Sequence, residues 1–403
     1  MERSNPPHSR ARILVTDADS PKALAIVRSV GREHEVWTAA DSRIALGGWS
    51  RYTRKHLKYS FDSPVQFPEW VLSICKHHDI EIVITPEEAT SLLAARAAPQ
   101  FASSGVQLTT LPLHALEIAM DKARTIRAAM EVGIRVPPTL VLDRTTDALP
   151  AARALGYPIV VKPRFSRYWI GDRFIASDGV GYANSDAQLL DLIRGLDPRL
   201  PPPLLQGFVQ GKGSGVCVLL GKDGTLAAEF AHERLRDYRP TGSGSVLRKS
   251  VRVHPLLREA SLRLLQHIGA HGIAMVEFRI DSATGNAYLM EINGRFWGSL
   301  QLAVDAGVNF PLLLVNQSLG RPIVLPRYQE EITLRWWIGD LIRTLRVMKG
   351  KPAGYIGVYP SRLSTLKEFL GRQPKGTRNE ILRWPDCWPG LVEPLSMMRR
   401  VLQ

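Results

Sequence analysis

Two alternating segments, 275–281 (MVEFRID) and 287–293 (AYLMEIN), constrain this chain more than any other stretch. Apolar and polar residues alternate along both, and Ser282, Gly285 and Asn286 between them are common turn formers, so the pattern predicts an antiparallel hairpin. If the hairpin closes symmetrically about Thr284, Glu277 faces Glu291, and Asn293 lies two residues further along on the same face as Glu291. Like charges opposed across a sheet are destabilising unless a cation or a shifted pKa relieves them. A hard divalent ion suits the arrangement, because Mg²⁺ takes oxygen donors and is held by one or two carboxylates plus nucleotide phosphates. An edge hairpin in another register, with a solvated acidic face, fits the same spacing.

The chain before this hairpin reads as two α/β parts. Residues 12–16 (RILVT), 35–38 (EVWT) and 81–85 (EIVIT) have strand character. Between them 21–30 and 69–77 have helical spacing, which predicts a small parallel sheet wrapped by helices, a Rossmann-like half. The turn after its first strand, TDADSPKA, has no glycine, so an NAD or FAD fingerprint is excluded. The loop 42–55, with Arg43, Arg51, Arg54 and Lys55 beside Trp49 and Tyr52, is either a surface crossover or a contact for an anionic substrate.

Further on, Asp121 is placed to cap a helix that Gly133 stops. Residues 157–163 (YPIVVKP) read as a strand ending in Lys162, and a lysine closing an apolar strand is costly to bury unless an anion meets it. The run from Leu204 is an apolar strand followed by Gly211, Gly213 and Gly215, which could be a simple turn. Residues 232–254 carry six Lys/Arg around TGSGS, the composition of a charged flexible loop, with Arg234, Arg236 and Arg248 as candidate contacts to a carboxylate or phosphate, or of a solvated loop.

VEF followed by MEINGRFWGSLQLAVDAGVNFP resembles the metal-binding end of the ATP-grasp superfamily, nearest in wording to the ATP-binding halves of the carbamoyl-phosphate synthase large chain. The pattern there is a Glu on one strand and Glu-x-Asn-x-Arg on the next. Glu277, Glu291, Asn293 and Arg295 match it, with Gly294 where proline is usual. The resemblance spans about 120 to 320, more weakly before it and not after. It implies Glu277, Glu291 and Asn293 as ligands of Mg²⁺ (or Mn²⁺), and Lys122 and Lys162 on the ATP phosphates. It further implies Gln206, Gly207, Phe208 and Val209 along the adenine, and Lys162 and Arg295 in catalysis. The usual glycine-rich flap after the lysine is replaced by RFSRYWIGDRFIASDGVG, with glycines only at 171, 179 and 181. Here Arg164, Ser166 and Arg167 are candidates to cover the phosphates by side chain.

The expected organisation is therefore mixed α/β and α+β. A Rossmann-like pre-ATP-grasp domain (1–115) precedes an ATP-grasp domain (116–325) and a small, basic, mainly helical C-terminal region (326–403). The implied activity is an ADP-forming, C–N-bond-forming ligase that activates a small-molecule carboxylate as an acyl phosphate for attack by an amine. A catalytically altered ATP-binding protein and a basic membrane- or nucleic-acid-surface binder are the alternatives.

The net charge of +14 would attract phosphate-rich partners. From Arg321 onward fifteen Lys/Arg stand against seven Asp/Glu, so the last fifth carries most of the surplus. Such a region either touches an anionic surface, a peripheral membrane contact, or simply presents a solvated basic face. Its opening helix, 332–350, has an apolar stripe of Trp337, Leu341, Leu345 and Met348 that is expected to pack on its own domain. Helix-turn-helix, zinc-finger and interleaved aromatic–basic signatures are missing, so no specific nucleic-acid partner is expected. Cys75, Cys217 and Cys387 fit no zinc or disulfide spacing. The polar N-terminus and the lack of an apolar run near ~20 residues lead to the expectation of a cytoplasmic protein.

Overall fold

The computed structural model describes residues 10–402 except 61–62, 171–172, 178 and 243. The N-terminal segment 1–9 and the flap glycine Gly171 lie outside the described residues. The chain forms two compact units. One comprises Met1–Thr110, Asn309–Val324 and Ile381–Gln403, and the other Leu111–Val308 and Leu325–Glu380. The stretch expected as one C-terminal region is thus divided between them at Glu380/Ile381.

The first unit is built on five parallel strands: β1 (Arg12–Val15), β2 (Glu35–Ala40), β3 (Thr53–Lys58), β4 (Ile82–Ile84) and β5 (Gln107–Leu108). Their order is β3-β2-β1-β4-β5. The apolar runs at 13–15 and 82–84 are fully buried, as parallel strands covered on both faces require. Ser20 caps the helix Pro21–Val30 by accepting from the Ala23 amide (3.2 Å), and Pro21 sits in the first turn where no amide is needed. Residues 42–55 are more ordered than a plain crossover, with a short 3₁₀ turn at Gly47–Trp49 leading into β3. The C-terminal stretch is tied to this unit through Arg28. Its buried guanidinium donates to the Asp386 carboxylate (2.8 Å) and to the Ile381 and Asp386 carbonyls (2.7 and 2.8 Å).

The second unit has three sheets. β6 (Thr139–Val141), β7 (Ile159–Lys162), β10 (Gly181–Ala183) and β11 (Leu204–Gly207) form one in the order β10-β7-β11-β6. β8 (Arg167–Ile170) and β9 (Arg173–Ala176) make a separate hairpin. The largest sheet holds β12 (Gly211–Leu220), β13 (Leu226–Arg236), β14 (Leu247–Val251), β15 (Gly272–Asp281) and β16 (Ala287–Asn293), extended by β17 (Thr333–Arg335) and β18 (Arg378–Asn379). Its order is β16-β15-β12-β13-β14-β17-β18.

Gly211, Gly213 and Gly215 do not make a turn: they lie in β12, paired with β15. A Cβ at Gly211 would stand 1.9 Å from the Ile280 carbonyl oxygen, and one at Gly215 2.5 Å from the His232 ring, so the strand closes only without side chains there.

The helix Trp337–Lys349 is packed the other way round from its sequence pattern. Gly339, Asp340, Arg343, Thr344 and Val347 face inward, whereas Trp337 and Leu345 are exposed and Leu341 and Met348 only half-buried. The cause is Asp340, which is fully buried and receives Arg236 and Arg335. Three charges already committed to one another outweigh the apolar stripe, because an unpaired buried carboxylate would be far more costly than exposed leucine. Among the described residues no helix is long and apolar enough to cross a membrane.

Candidate functional site

The hairpin β15/β16 sets the acidic pair by a route different from symmetric closure. Near the turn the register is Ile280↔Ala287, Arg279↔Tyr288 and Phe278↔Leu289. Continued unchanged, it would set Glu277 against Met290 and turn Glu291 to the opposite face. One extra residue, Met290, bulges out of β16 between the two pairings, and beyond it Glu277 faces Glu291 and Met275 faces Asn293.

Each carboxylate has its own counter-charges. Arg234 on β13 forms a close ion pair with Glu277. Its guanidinium lies against Gly213, where a Cβ would come within 3.2 Å. The Asn293 amide donates to Glu291 (3.1 Å). Burial, reinforced by Glu291 and opposed by Arg234, holds Glu277 above the usual carboxylate range. Burial also pushes Glu291 up, but Lys122, the Asn293 amide, Arg234 and Lys162 outweigh it and bring it below that range. The hairpin therefore presents one carboxylate primed to stay ionised beside another that a cation must neutralise.

The basic residues arrive from other elements. Asp121 caps the helix Lys122–Glu131, accepting from the Ala123 amide (3.0 Å), and the same carboxylate grips Arg164 at 2.7 to 3.1 Å. The Lys122 amide donates to the Arg164 carbonyl (3.0 Å), and its ammonium reaches Ser166 (3.3 Å). Lys162 ends β7 opposite Leu204. Burial lowers its pKa to about 8, with Glu291 pulling the other way. Along β11 the Gln206 side chain donates to Thr139 (2.8 Å) and the Gly207 amide to the Pro138 carbonyl (2.8 Å). These two groups serve the sheet rather than facing outward. Phe208 packs with Tyr182 and Tyr355, ring centroids 4.9 to 6.4 Å apart.

One cavity of about 430 Å³ is lined by Lys122, Lys162, Gln206, Gly207, Phe208, Val209, Glu277, Glu291, Asn293 and Arg295 together. Residues from 122 to 295 thus converge on a single space. Other expectations do not meet there. Arg164 is engaged by Asp121, and the flap is a β-hairpin, β8/β9, in which Trp169 packs edge-on against Phe174 (4.5 Å). The charged stretch 232–254 is not one loose loop: 232–236 and 247–251 lie in the paired strands β13 and β14. Of its three candidate arginines only Arg234 lines the cavity. Arg236 is bound to Asp340 and Glu368, and Arg248 to Glu380 and the Ser245 carbonyl.

The sequence reading missed Tyr182, Arg239, Thr241, Arg279 and Trp297 in the lining. Arg279 was within reach, since it stands two residues from Glu277 and so on the same face of β15. It donates to the Gly211 and Gly242 carbonyls (3.1 and 3.3 Å), fastening Gly242 to the start of β12.

A family model described as ATP-grasp in the biosynthetic pathway with Ter operon matches residues 199–338, which include the strand β11, the acidic hairpin and Arg234. The chain carries an ATP-grasp domain. The arginine-specific carbamoyl phosphate synthase large chain of Eremothecium gossypii is 25% identical over 291 residues, covering 68% of this chain and 25% of that protein. That of Geobacillus stearothermophilus is 23% identical over 252 residues, 57% of this chain and 22% of that one. This chain thus spans about a quarter or less of the length of such relatives.

Solved ATP-grasp structures share the fold. N5-carboxyaminoimidazole synthetase from Staphylococcus aureus superposes with TM-score 0.63 at 16% identity over 80% of this chain and 81% of that one. The biotin carboxylase domain of Hydrogenobacter thermophilus 2-oxoglutarate carboxylase, solved with MgADP, ADP and bicarbonate, gives 0.63 at 16% over 80% and 72%.

Proposed function

We propose that this ATP-grasp chain is an ADP-forming ligase that activates a small-molecule carboxylate as an acyl phosphate and joins it to an amine. The observation that carries the proposal is the opposed pair Glu277/Glu291 in a cavity also lined by Lys122, Lys162 and Arg295. Two carboxylates and the Asn293 amide are an oxygen-only donor set suited to Mg²⁺ or Mn²⁺, and basic side chains around them suit a polyphosphate. The curated relatives at 21–25% identity are carbamoyl phosphate synthases or a multifunctional protein, and the solved structures of like fold include complexes with ADP and MgADP, which supports the same class.

In this reading Glu277, Glu291 and Asn293 hold the metal, which when bound supplies charge neutralisation and alignment for phosphoryl transfer. Lys122 and Lys162 steady the phosphate oxygens. Gln206, Gly207, Phe208 and Val209 border the adenine, Phe208 being backed by Tyr182 and Tyr355. Arg295 neutralises charge on the acyl phosphate as the γ-phosphoryl leaves ADP for a carboxylate oxygen. The amine then attacks the acyl carbon, phosphate departs, and the amine gives up a proton. Phosphoryl transfer needs placement and charge rather than a covalent nucleophile of the protein.

The test is an ADP-release screen of carboxylates against amines with Mg²⁺. A carboxylate and an amine that together raise ADP release, with loss on chelation, support the ligase. ATP binding with no ADP release for any pair would instead favour a catalytically altered ATP-binding protein.

A further inference from the structure

The helices Trp337–Lys349 and Arg362–Leu370 pack on each other and leave an apolar face outside. On the first, Trp337 and Leu345 are 48% and 54% exposed. On the second, Leu363, Leu366 and Leu370 recur on one face, at 64%, 43% and 72%. Trp337 meets Phe369 at 5.6 Å, which brings the start of the first helix beside the end of the second. Surface helices normally turn such a stripe inward. Here the inward side holds Asp340, Arg343 and Thr344, so the outward leucines are a consequence of buried ion pairs rather than of a missing core.

Charge identifies what covers this face. Lys349, Arg362 and Lys367 on these two helices, and Lys351, Arg372 and Lys375 just beyond their ends in the chain, are all exposed. From Trp337 to Arg378 the acidic residues are Asp340, buried, and Glu368, which is paired with Arg236 and Arg343. A second copy of the same basic face would be repelled. Exposed Trp and Leu interspersed with Lys and Arg match the boundary of a bilayer, where rings and alkyl chains enter the headgroup layer and basic groups meet anionic phosphates.

We propose that the face formed by Trp337, Leu345, Leu363, Leu366 and Leu370 with these lysines and arginines docks this protein on an anionic lipid surface. The association is peripheral and salt-sensitive, and it is independent of the nucleotide site.

The experiment is co-sedimentation of the full chain with phosphatidylcholine vesicles carrying about one-third phosphatidylglycerol, against phosphatidylcholine alone, at low and high salt. The expected result is binding to the anionic vesicles only, weakened by salt. It should fall about tenfold or more in a Leu363→Asp/Leu370→Asp variant and in a Lys367→Glu/Arg372→Glu/Lys375→Glu variant. Both sets are exposed, so an unchanged melting temperature should accompany the loss. No association with anionic vesicles at low salt, or binding that ignores both variants, overturns the proposal. So does concentration-dependent self-association that the leucine variant abolishes, which would make the face a contact between copies.

Discussion

Arg234 and Glu277 form an ion pair in the wall of the cavity, so the carboxylate that faces Glu291 across the hairpin already holds a cation of the protein's own. Arginine keeps its proton at any accessible pH, so this counter-charge is permanent. A divalent ion arriving at Glu277 must share the carboxylate with the guanidinium or displace it.

Arg234→Met therefore has two opposite effects. Removing one partner of a buried pair should lower stability by about 3–5 kcal/mol. The same change should raise nucleotide-free Mn²⁺ affinity about tenfold, since a competing positive charge is gone. Thermal melting and calorimetric Mn²⁺ titration measure the two. Unchanged Mn²⁺ affinity would place the metal away from Glu277.

Glu291→Gln keeps the shape of the side chain and removes the carboxylate held in its ionised form by Lys122, Asn293, Arg234 and Lys162. Mg·ATP turnover should fall about a hundredfold or more, with the melting temperature little changed. Full activity would contradict the assigned role.

Lys162→Met should raise the ATP KM by roughly 10- to 100-fold, the loss of a charge-assisted contact worth about 1.5–3 kcal/mol. Its stability should not fall, because burial makes the ammonium costly in the free protein. A variant that binds ATP as well as the parent would remove Lys162 from the phosphate site.

Arg236→Met should act on the fold and not on substrate. It leaves Asp340, fully buried, with Arg335 as its remaining ion-pair partner in place of two. A cost of about 3–5 kcal/mol is expected in denaturant unfolding. A rise in substrate KM at unchanged stability would return Arg236 to the cavity.

Asp17 gives the pH dependence of the first unit. Burial, with Glu87 adding to it and hydroxyl hydrogen bonds from Thr16 and Thr90 (2.7 Å each) opposing, raises its pKa to about 7. The folded protein thus binds a proton that the unfolded chain, at about 3.8, has lost. This contribution to stability is complete below about pH 3.8 and disappears as pH rises through 7, a difference of up to about 4 kcal/mol. Asp17→Asn tolerates the positive φ of 50° and should remove that slope between pH 4 and 7. Parallel stability curves for the two proteins would show that Asp17 does not titrate there.

The parallel sheet, the capped helix at Lys122, the strand ending in Lys162 and the existence of the acidic hairpin were legible in the chain itself. Each is a local pattern: continuous apolar runs, a capping residue before a 3.6-residue period, alternation around turn formers. Tyr355 and Arg239 were not legible, because nothing near them in sequence marks a residue that packs on Phe208 or reaches the cavity.

By itself, the amino-acid sequence determined which short segments become strands and helices and which side chains could carry charge to a phosphate or a metal. Tertiary structure alone decided that Glu277 faces Glu291, since one bulged residue, Met290, changes which face every later side chain occupies. It also decided that Arg236 and Arg248 serve the interior and that the helix Trp337–Lys349 turns Trp337 and Leu345 outward. The physical reason is common to these cases. A buried charge must find its partner wherever the fold brings one, and partners more than a hundred residues apart, such as Arg236 and Asp340, leave no periodic trace in sequence.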